Sequence, residues 1–144
     1  MASPFLRSNL LQNSRVAKSL KDIFSDRSRI LLGFLFGSSA RNCLRPSSDV
    51  DIGIFFRTVP EIDSIDALRE ELSSVLRREV DLVVLNHASP VLKMQILKYG
   101  ILIYSANKKY FHQFYTDTVN QYDDLKRIRK NCEENILRGR IYAG

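Results

Sequence analysis

Two short apolar runs separated by a polar segment constrain the fold of this chain more than any other feature. Ile30–Phe36 reads I-L-L-G-F-L-F and Val50–Phe56 reads V-D-I-G-I-F-F. Each run has about the length of one strand and an almost wholly apolar composition, which is typical of strands buried in a sheet. The sequence therefore predicts two core strands joined by the polar residues 37–49.

The polar segment begins with Gly37-Ser38, and ten residues separate this pair from Asp49. We expect the pair to lie where the first strand ends and a short helix begins, so that unpaired backbone N–H groups are available there. Such groups attract phosphate, and glycine lets a phosphate come close to the backbone. Gly37-Ser38 therefore predicts a phosphate-binding turn.

Asp49 and Asp51 lie two residues apart at the start of the second strand, so their side chains leave the same face with Cα atoms about 6.6 Å apart. At an effective dielectric constant of about 20, two carboxylates about 6 Å apart repel each other by about 2.8 kcal/mol. A bound cation removes this penalty. Oxygen ligands without histidine suit Mg²⁺, or Mn²⁺ in its place, together with substrate phosphates.

A third carboxylate, Asp81, precedes another apolar run within residues 79–85, E-V-D-L-V-V-L. If this strand lies beside the strand of Asp51, three carboxylates converge at one edge of the sheet. Such a cluster can hold two metal ions about 3.5–4 Å apart, one at an incoming hydroxyl and one at the nucleotide phosphates.

The Gly-Ser pair, the ten-residue gap, the Asp-x-Asp and the later strand aspartate together resemble the polymerase-beta-type nucleotidyltransferases. At this length the chain resembles their minimal (MNT) subgroup, whose members are commonly the antitoxins of HEPN/MNT toxin–antitoxin pairs. The resemblance covers roughly residues 34–104. It implies an α/β (α+β) fold, with a small mixed sheet of about four strands flanked by helices and a long C-terminal helix.

The resemblance also implies an activity: transfer of AMP from ATP, with Mg²⁺ as cofactor, to a tyrosine hydroxyl of a cognate HEPN ribonuclease toxin. The residues that it marks are of two kinds. The catalytic and metal-ligating residues are Asp49, Asp51 and Asp81, and the cofactor-binding residues are Gly37, Ser38 and Arg41. The carboxylate of Asp81 would stand near the attacking hydroxyl. One position departs from the family pattern, because Asn42 follows Arg41 where members often have glycine.

Length and composition indicate one domain over residues 1–144, since 144 residues with 44% hydrophobic content suffice for one core and are short for two. We expect residues 1–12 to form a loose N-terminal tail. We expect residues 107–138 to form a helical region that contacts a partner protein.

In the rest of the sequence, the spacing of apolar residues and the residues at helix ends predict helices over residues 14–25, 61–78, 89–100 and 108–138. A short strand is predicted over 101–104. Ser89-Pro90 supplies an N-cap and a first-turn proline, and Gly100 follows the end of that helix. The last helix is interpreted as broken near Thr116–Thr118. Its stripe of Tyr115, Val119, Tyr122 and Leu125 is interpreted as core, with a toxin-binding face as the alternative.

The net charge of +6 and the pI near 9.5 would suit nucleic acid, but the basic residues are spread along the helices except at residues 126–130. Charge alone affects solubility and non-specific binding, so we do not expect direct nucleic-acid binding.

Cys43 and Cys132 are too few for a disulfide framework, which favours the cytoplasm. The isolated His87 and His112 are interpreted as ordinary surface or packing residues.

No apolar stretch of the sequence approaches the roughly 20 residues that cross a membrane, so we expect no membrane association. Two functions besides AMP transfer to a toxin stay open. The chain could transfer a nucleotide to a small molecule such as an antibiotic, although such enzymes usually carry an added domain. It could also block a toxin by binding alone, without catalysis.

Overall fold

A four-stranded sheet organises the part of the chain that the computed structural model describes, residues 15–37 and 49–137. The elements, in chain order, are α1 (Arg15–Ser25), β1 (Ile30–Phe36), β2 (Val50–Phe56), α2 (Ile62–Leu76), β3 (Val80–Val84), a 3₁₀ turn (Leu85–His87), α3 (Pro90–Tyr99), β4 (Ile101–Ser105) and α4 (Lys108–Leu137). These bounds confirm the predicted helices and strands to within two residues.

The strand order is β3-β2-β1-β4. Strand β1 runs antiparallel to both β2 and β4, and β2 runs parallel to β3. The parallel pair needs a long crossover, and α2 provides it. The small mixed sheet with flanking helices is the predicted fold class.

Each face of the sheet has its own apolar core. On one face, side chains of α1 and α2 such as Leu20, Phe24 and Leu72 pack against the sheet. On the other face, α3 and α4 cover it, and the ring of Phe34 lies 6.3 Å from that of Phe111 and 5.8 Å from that of Phe114. The described residues therefore have a helix–sheet–helix arrangement in which the sheet is the middle layer.

Helix α3 begins and ends at the residues that the sequence marked. The Leu92 backbone N–H donates to the Ser89 hydroxyl over 3.2 Å, with Pro90 in the first turn. Gly100 is extended, with φ −78°, so it is not required for a left-handed turn. A Cβ at Gly100 would lie 2.5 Å from the Ile96 carbonyl oxygen and 3.0 Å from that of Leu35, so glycine permits this close passage into β4.

Helix α2 buries less than its apolar pattern predicts. Leu68 and Leu72 are buried, whereas Ile62 is 75% exposed and Val75 is 48% exposed. The helix ends at Arg77, whose φ of 53° is left-handed. The apolar spacing of this helix therefore overstates its buried face, since Ile62 and Val75 are exposed whereas the partly buried Leu76 still packs against the core.

Helix α4 runs without interruption for 30 residues, so the predicted break near Thr116–Thr118 is wrong. Its buried residues are Phe111, Phe114 and Thr118, and Tyr115 is 49% exposed. The predicted core stripe is wrong: Tyr115 is exposed because the helix turns the neighbouring Phe114 towards the sheet, and Val119, Tyr122 and Leu125 are only half-buried. Beyond Thr118 none of the described residues of α4 is buried.

Of the described helices, none is long and apolar enough to cross a membrane.

Several predictions concern residues outside the described ranges. They are the N-terminal tail over residues 1–12, the short helix after Gly37, and the end of the last helix at Arg138.

Replacing Ser89 by alanine removes the hydroxyl that caps α3, so we expect the free energy of unfolding to fall by about 1 kcal/mol. Ser89→Asp supplies another N-cap acceptor and should stay close to the wild-type value. Urea denaturation followed by circular dichroism measures both variants. Equal losses in the two would show that the cap does not stabilise this helix.

Candidate active site

The register between β2 and β3 brings two of the three predicted carboxylates together. Asp51 and Asp81 are direct partners across this parallel pair, so their side chains leave the same face of the sheet on adjacent strands. Neighbouring strands lie about 4.8 Å apart. The condition on which the predicted convergence depended, that the strand of Asp81 lies beside the strand of Asp51, is confirmed.

Asp49 lies immediately before β2, where the Val50 backbone N–H donates to the Glu79 carbonyl over 2.9 Å. Asp49 and Asp81 are both exposed and line one cleft of about 490 Å³. The cleft is bounded by β3, which is an edge strand, and by the side of α2. Its other polar lining residues are Asp66, Arg69 and Glu79.

The charges of the three aspartates act on one another. Burial raises the pKa of the Asp51 carboxyl above its ordinary value, and the negative charges of Asp81 and then Asp49 raise it further. Each cause disfavours the ionised form. A neighbouring positive charge would therefore stabilise the ionised form of Asp51.

Gly37 directly follows the last residue of β1 and lies against Asp51. Its φ is +68°, a conformation that side chains rarely adopt, and a Cβ there would collide with Asp51 Oδ2. Phe36 pairs with Asp51 across β1 and β2, which sets this close approach. The glycine is thus required both by its backbone conformation and by the carboxylate beside it.

A second cavity of about 240 Å³ adjoins Gly37. Phe36 and the side of α3 form its walls, which are mostly apolar and carry one amide, that of Gln95. The lining residues are Phe36, Gly37, Leu92, Gln95, Ile96 and Tyr99. Sequence reasoning did not select the α3 residues, because helical spacing of apolar side chains is equally typical of ordinary core packing.

The donor set suits a hard divalent cation. Carboxylate oxygens without nitrogen or sulfur ligands are typical of Mg²⁺ sites, and burial together with the neighbouring negative charges raises the pKa of Asp51, which a bound cation would counteract. Within residues 15–37 and 49–137, no group of three or more His, Cys, Asp or Glu side chains is already arranged to hold a metal ion. The three carboxylates are therefore neighbours that a cation could draw together.

The predicted site residues Ser38 and Arg41, and also Cys43, lie outside the described residues. Asp66 of α2 is not among the predicted site residues, yet it lines the cleft beside Asp49 and Asp81. Another acid of α2, Glu71, forms an ion pair with Arg27 away from the cleft.

Comparison with known proteins shows the family of this chain. Residues 18–109 match the model of the polymerase beta nucleotidyltransferase family. The chain belongs to this family. This nucleotidyltransferase is 27% identical over 129 residues to the protein adenylyltransferase MntA of Shewanella oneidensis, covering 88% of each chain. It is 37% identical over 67 residues to a putative protein adenylyltransferase of Methanocaldococcus jannaschii, covering 46% of this chain and 72% of that relative.

Solved structures share the fold. One is a toxin–antitoxin structure with AMP-PNP, which matches with a TM-score of 0.71 and 25% identity over 85% of this chain and 98% of that chain. Another is the complex of a tri-AMPylated Shewanella oneidensis HEPN toxin with its MNT antitoxin, at a TM-score of 0.68 and 24% identity over 85% of this chain and 96% of that chain.

Gly37→Ala tests the contact between the turn and the carboxylate. The added Cβ forces Asp51 to move and holds an L residue in the left-handed region, so we expect a loss of about 1–2 kcal/mol in stability and weaker ATP binding. Calorimetric titration with ATP measures the binding. Gly53→Ala, on the same strand as Asp51 but facing Leu85, is the control and should leave ATP affinity unchanged.

Asp51→Asn removes one of three mutually repelling charges. In buffer with EDTA we expect its melting temperature to exceed that of the wild type by about 3–6 °C, the effect of about 1 kcal/mol in a domain of this size. The difference should shrink as the pH falls through the raised pKa of Asp51, because the wild-type carboxyl then also loses its charge.

Added Mg²⁺ should raise the melting temperature of the wild type and narrow its difference from Asp51→Asn. The control is Asp63→Asn, which removes an exposed acid from the first turn of α2 and should not raise the melting temperature. Destabilisation by Asp51→Asn in EDTA would show that repulsion does not dominate at this carboxylate.

Proposed function

We propose that this nucleotidyltransferase is an antitoxin that transfers AMP from ATP to a tyrosine hydroxyl of a cognate HEPN-type ribonuclease toxin and so neutralises it. The observation that carries the proposal is the placement of Asp51 between its strand partner Asp81 and the turn at Gly37. Its relative MntA, named a protein adenylyltransferase, aligns over 88% of the chain and so supports a protein acceptor.

The transfer would proceed by in-line attack of the tyrosine oxygen on the α-phosphorus of ATP. A bond forms between these two atoms, and the bond from the α-phosphorus to the oxygen that bridges to the β-phosphate breaks. Pyrophosphate leaves with that electron pair. The phenol proton passes to the Asp81 carboxylate, which is exposed to the cleft and can release it to water.

We assign Mg²⁺, or Mn²⁺ in its place, to Asp49, Asp51 and Asp81. When bound, such an ion would neutralise charge on the phosphates and on the leaving pyrophosphate. The chain's own contribution is to hold three carboxylates where two adjacent strands begin, so that their mutual repulsion favours a cation.

The Gly37 turn would receive the triphosphate, together with Ser38 and Arg41 from the segment that follows it. The apolar cavity beside Gly37 supports a place for the adenine ring. A flat base suits its apolar walls, and the Gln95 amide offers both a donor and an acceptor to the base edge. ATP would then lie on the α3 side of Gly37, and the acceptor tyrosine would enter by the cleft between β3 and α2.

We also propose that residues 107–138 contact the toxin. Helix α4 continues well past the sheet, and Ile128, Ile136 and Leu137 are exposed along its far half, with Leu137 86% exposed. Large exposed apolar side chains on an unsupported helix are typical of a protein interface. The fold is that of antitoxin chains in complexes with HEPN toxins.

The cytoplasm is the compartment that this proposal implies. ATP is the donor, and Cys132 is an exposed free thiol, which persists in a reducing environment.

The decisive experiment measures the intact mass of a candidate cognate toxin, a HEPN-type protein encoded beside this chain, after incubation with this chain, ATP and Mg²⁺. We expect mass gains in steps of one AMP. The double variant Asp49→Asn, Asp51→Asn should give none while remaining folded, because it removes negative charge without changing side-chain volume. Asp63→Asn, an exposed acid of α2, is the matched control and should keep full transfer.

The other outcomes separate the alternatives. A stable complex that suppresses the ribonuclease without any mass gain would mean inhibition by binding alone. If the HEPN-type protein shows no binding and no mass gain, a toxin partner is contradicted. Small-molecule hydroxyl acceptors would then be tested. Transfer retained by the double variant would refute the assignment of the aspartates.

A further inference from the structure

A larger cavity, of about 520 Å³, lies at the opposite end of the same sheet face from the aspartates. The end of β2, the turn after β3 and the helices α3 and α4 enclose it. Phe55, which lines it, is four residues along β2 from Asp51, or about 13 Å at the rise of an extended strand. The proposed transfer reaction uses none of its residues.

The cavity contains a lysine that is almost fully buried. Lys93 of α3 is 8% exposed, and its Nζ donates to Gln121 Oε1 of α4 over 2.5 Å and lies 6.0 Å from the centre of the Phe114 ring. Burial lowers the pKa of this ammonium, and Asp117 opposes that shift. An ammonium has three donor hydrogens, so those not used by Gln121 need acceptors.

Thr118, one helical turn before Gln121, supplies a second polar group without a partner. It is 0% exposed, and its Oγ1 has no hydrogen-bond partner among the described residues. A buried hydroxyl without a partner destabilises the folded state. Thr118 and Lys93 line the same cavity, so both polar groups belong to one candidate site.

The remaining lining residues define the chemistry of a ligand for this site. The charged residues are Lys93, Arg57 and Asp117, which leaves a net positive charge. The guanidinium of Arg57 donates to Tyr110 Oη over 3.1 Å, so it is held at the cavity wall. Phe55 and Phe114 provide flat apolar surface, with ring centres 5.5 Å apart.

We propose that this cavity is a binding site for a small organic oxyanion, a phosphate or carboxylate carried on an aromatic body. The oxyanion accepts hydrogen bonds from Lys93 Nζ and the Thr118 hydroxyl, and the aromatic body packs against Phe55 and Phe114. The cavity is large enough for a ligand of this kind, since ligand pockets typically span about 300–1,000 Å³.

The test uses the full chain in EDTA, with phenyl phosphate, benzoate and inorganic phosphate as probes and phenol as the uncharged comparison. Amide shifts in ¹H–¹⁵N spectra locate binding, and titration gives affinity. We expect phenyl phosphate or benzoate to shift Lys93, Thr118 and Asn86, and to bind more tightly than phenol or inorganic phosphate. Comparison of phenyl phosphate with benzoate identifies which oxyanion is preferred.

Lys93→Met keeps the aliphatic stem and removes the charge, so we expect about tenfold weaker binding of the preferred probe. Lys98→Met, an exposed lysine on the same helix, is the matched control with the same change in net charge. Thr118→Val removes the unpartnered hydroxyl and should raise the melting temperature without ligand while weakening probe binding several-fold.

Binding should persist in the double variant Asp49→Asn, Asp51→Asn, which separates this site from the proposed active site. Shifts confined to Gly37 and Asp51, or equal affinities in Lys93→Met and Lys98→Met, would overturn the proposal. Absence of shifts with every probe would also overturn it and would mean that the cavity holds only water. These outcomes are independent of AMP transfer.

Discussion

The site depends on the parallel pairing of β2 with β3. This pairing sets Asp51 beside Asp81 and holds their charges together against electrostatic repulsion. The apolar residues that alternate with the aspartates, Val50, Ile52 and Val80, are buried on the opposite face. A shift of one residue in register would turn these side chains out of the core, so core packing prevents the carboxylates from moving apart.

Much of this arrangement follows from the sequence. The apolar runs of β1 and β2 and the residues around Asp81 identify strands by composition, and Ser89-Pro90 marks a helix start by its chemistry. The convergence of the aspartates needed one assumption that local pattern cannot supply, namely which strands are neighbours. The crossover through α2 makes that pairing non-local, so its register appears only in the folded chain.

Other features lie beyond sequence reasoning for a different reason. Lys93 has the hydropathy of a surface residue, and its burial results from α4 crossing over α3, with Gln121 placed to accept its hydrogen bond. Tyr115 was expected in the core because its helical spacing fits as well as that of Phe114. The rotation of a helix about its axis is set by what it packs against, here the Phe34 ring, and not by its own apolar pattern.

The length of α4 has a geometric consequence. Its last buried residue is Thr118, and the helix continues to Leu137, which extends it about 28 Å at 1.5 Å per residue. A protein bound at the far end would therefore be held at a fixed reach and a fixed angle from the carboxylates. Each residue inserted into this stretch would lengthen the reach by about 1.5 Å and rotate the far end by about 100°. The length of α4 thus sets both the distance and the orientation at which a protein bound to its far end is held relative to the cleft.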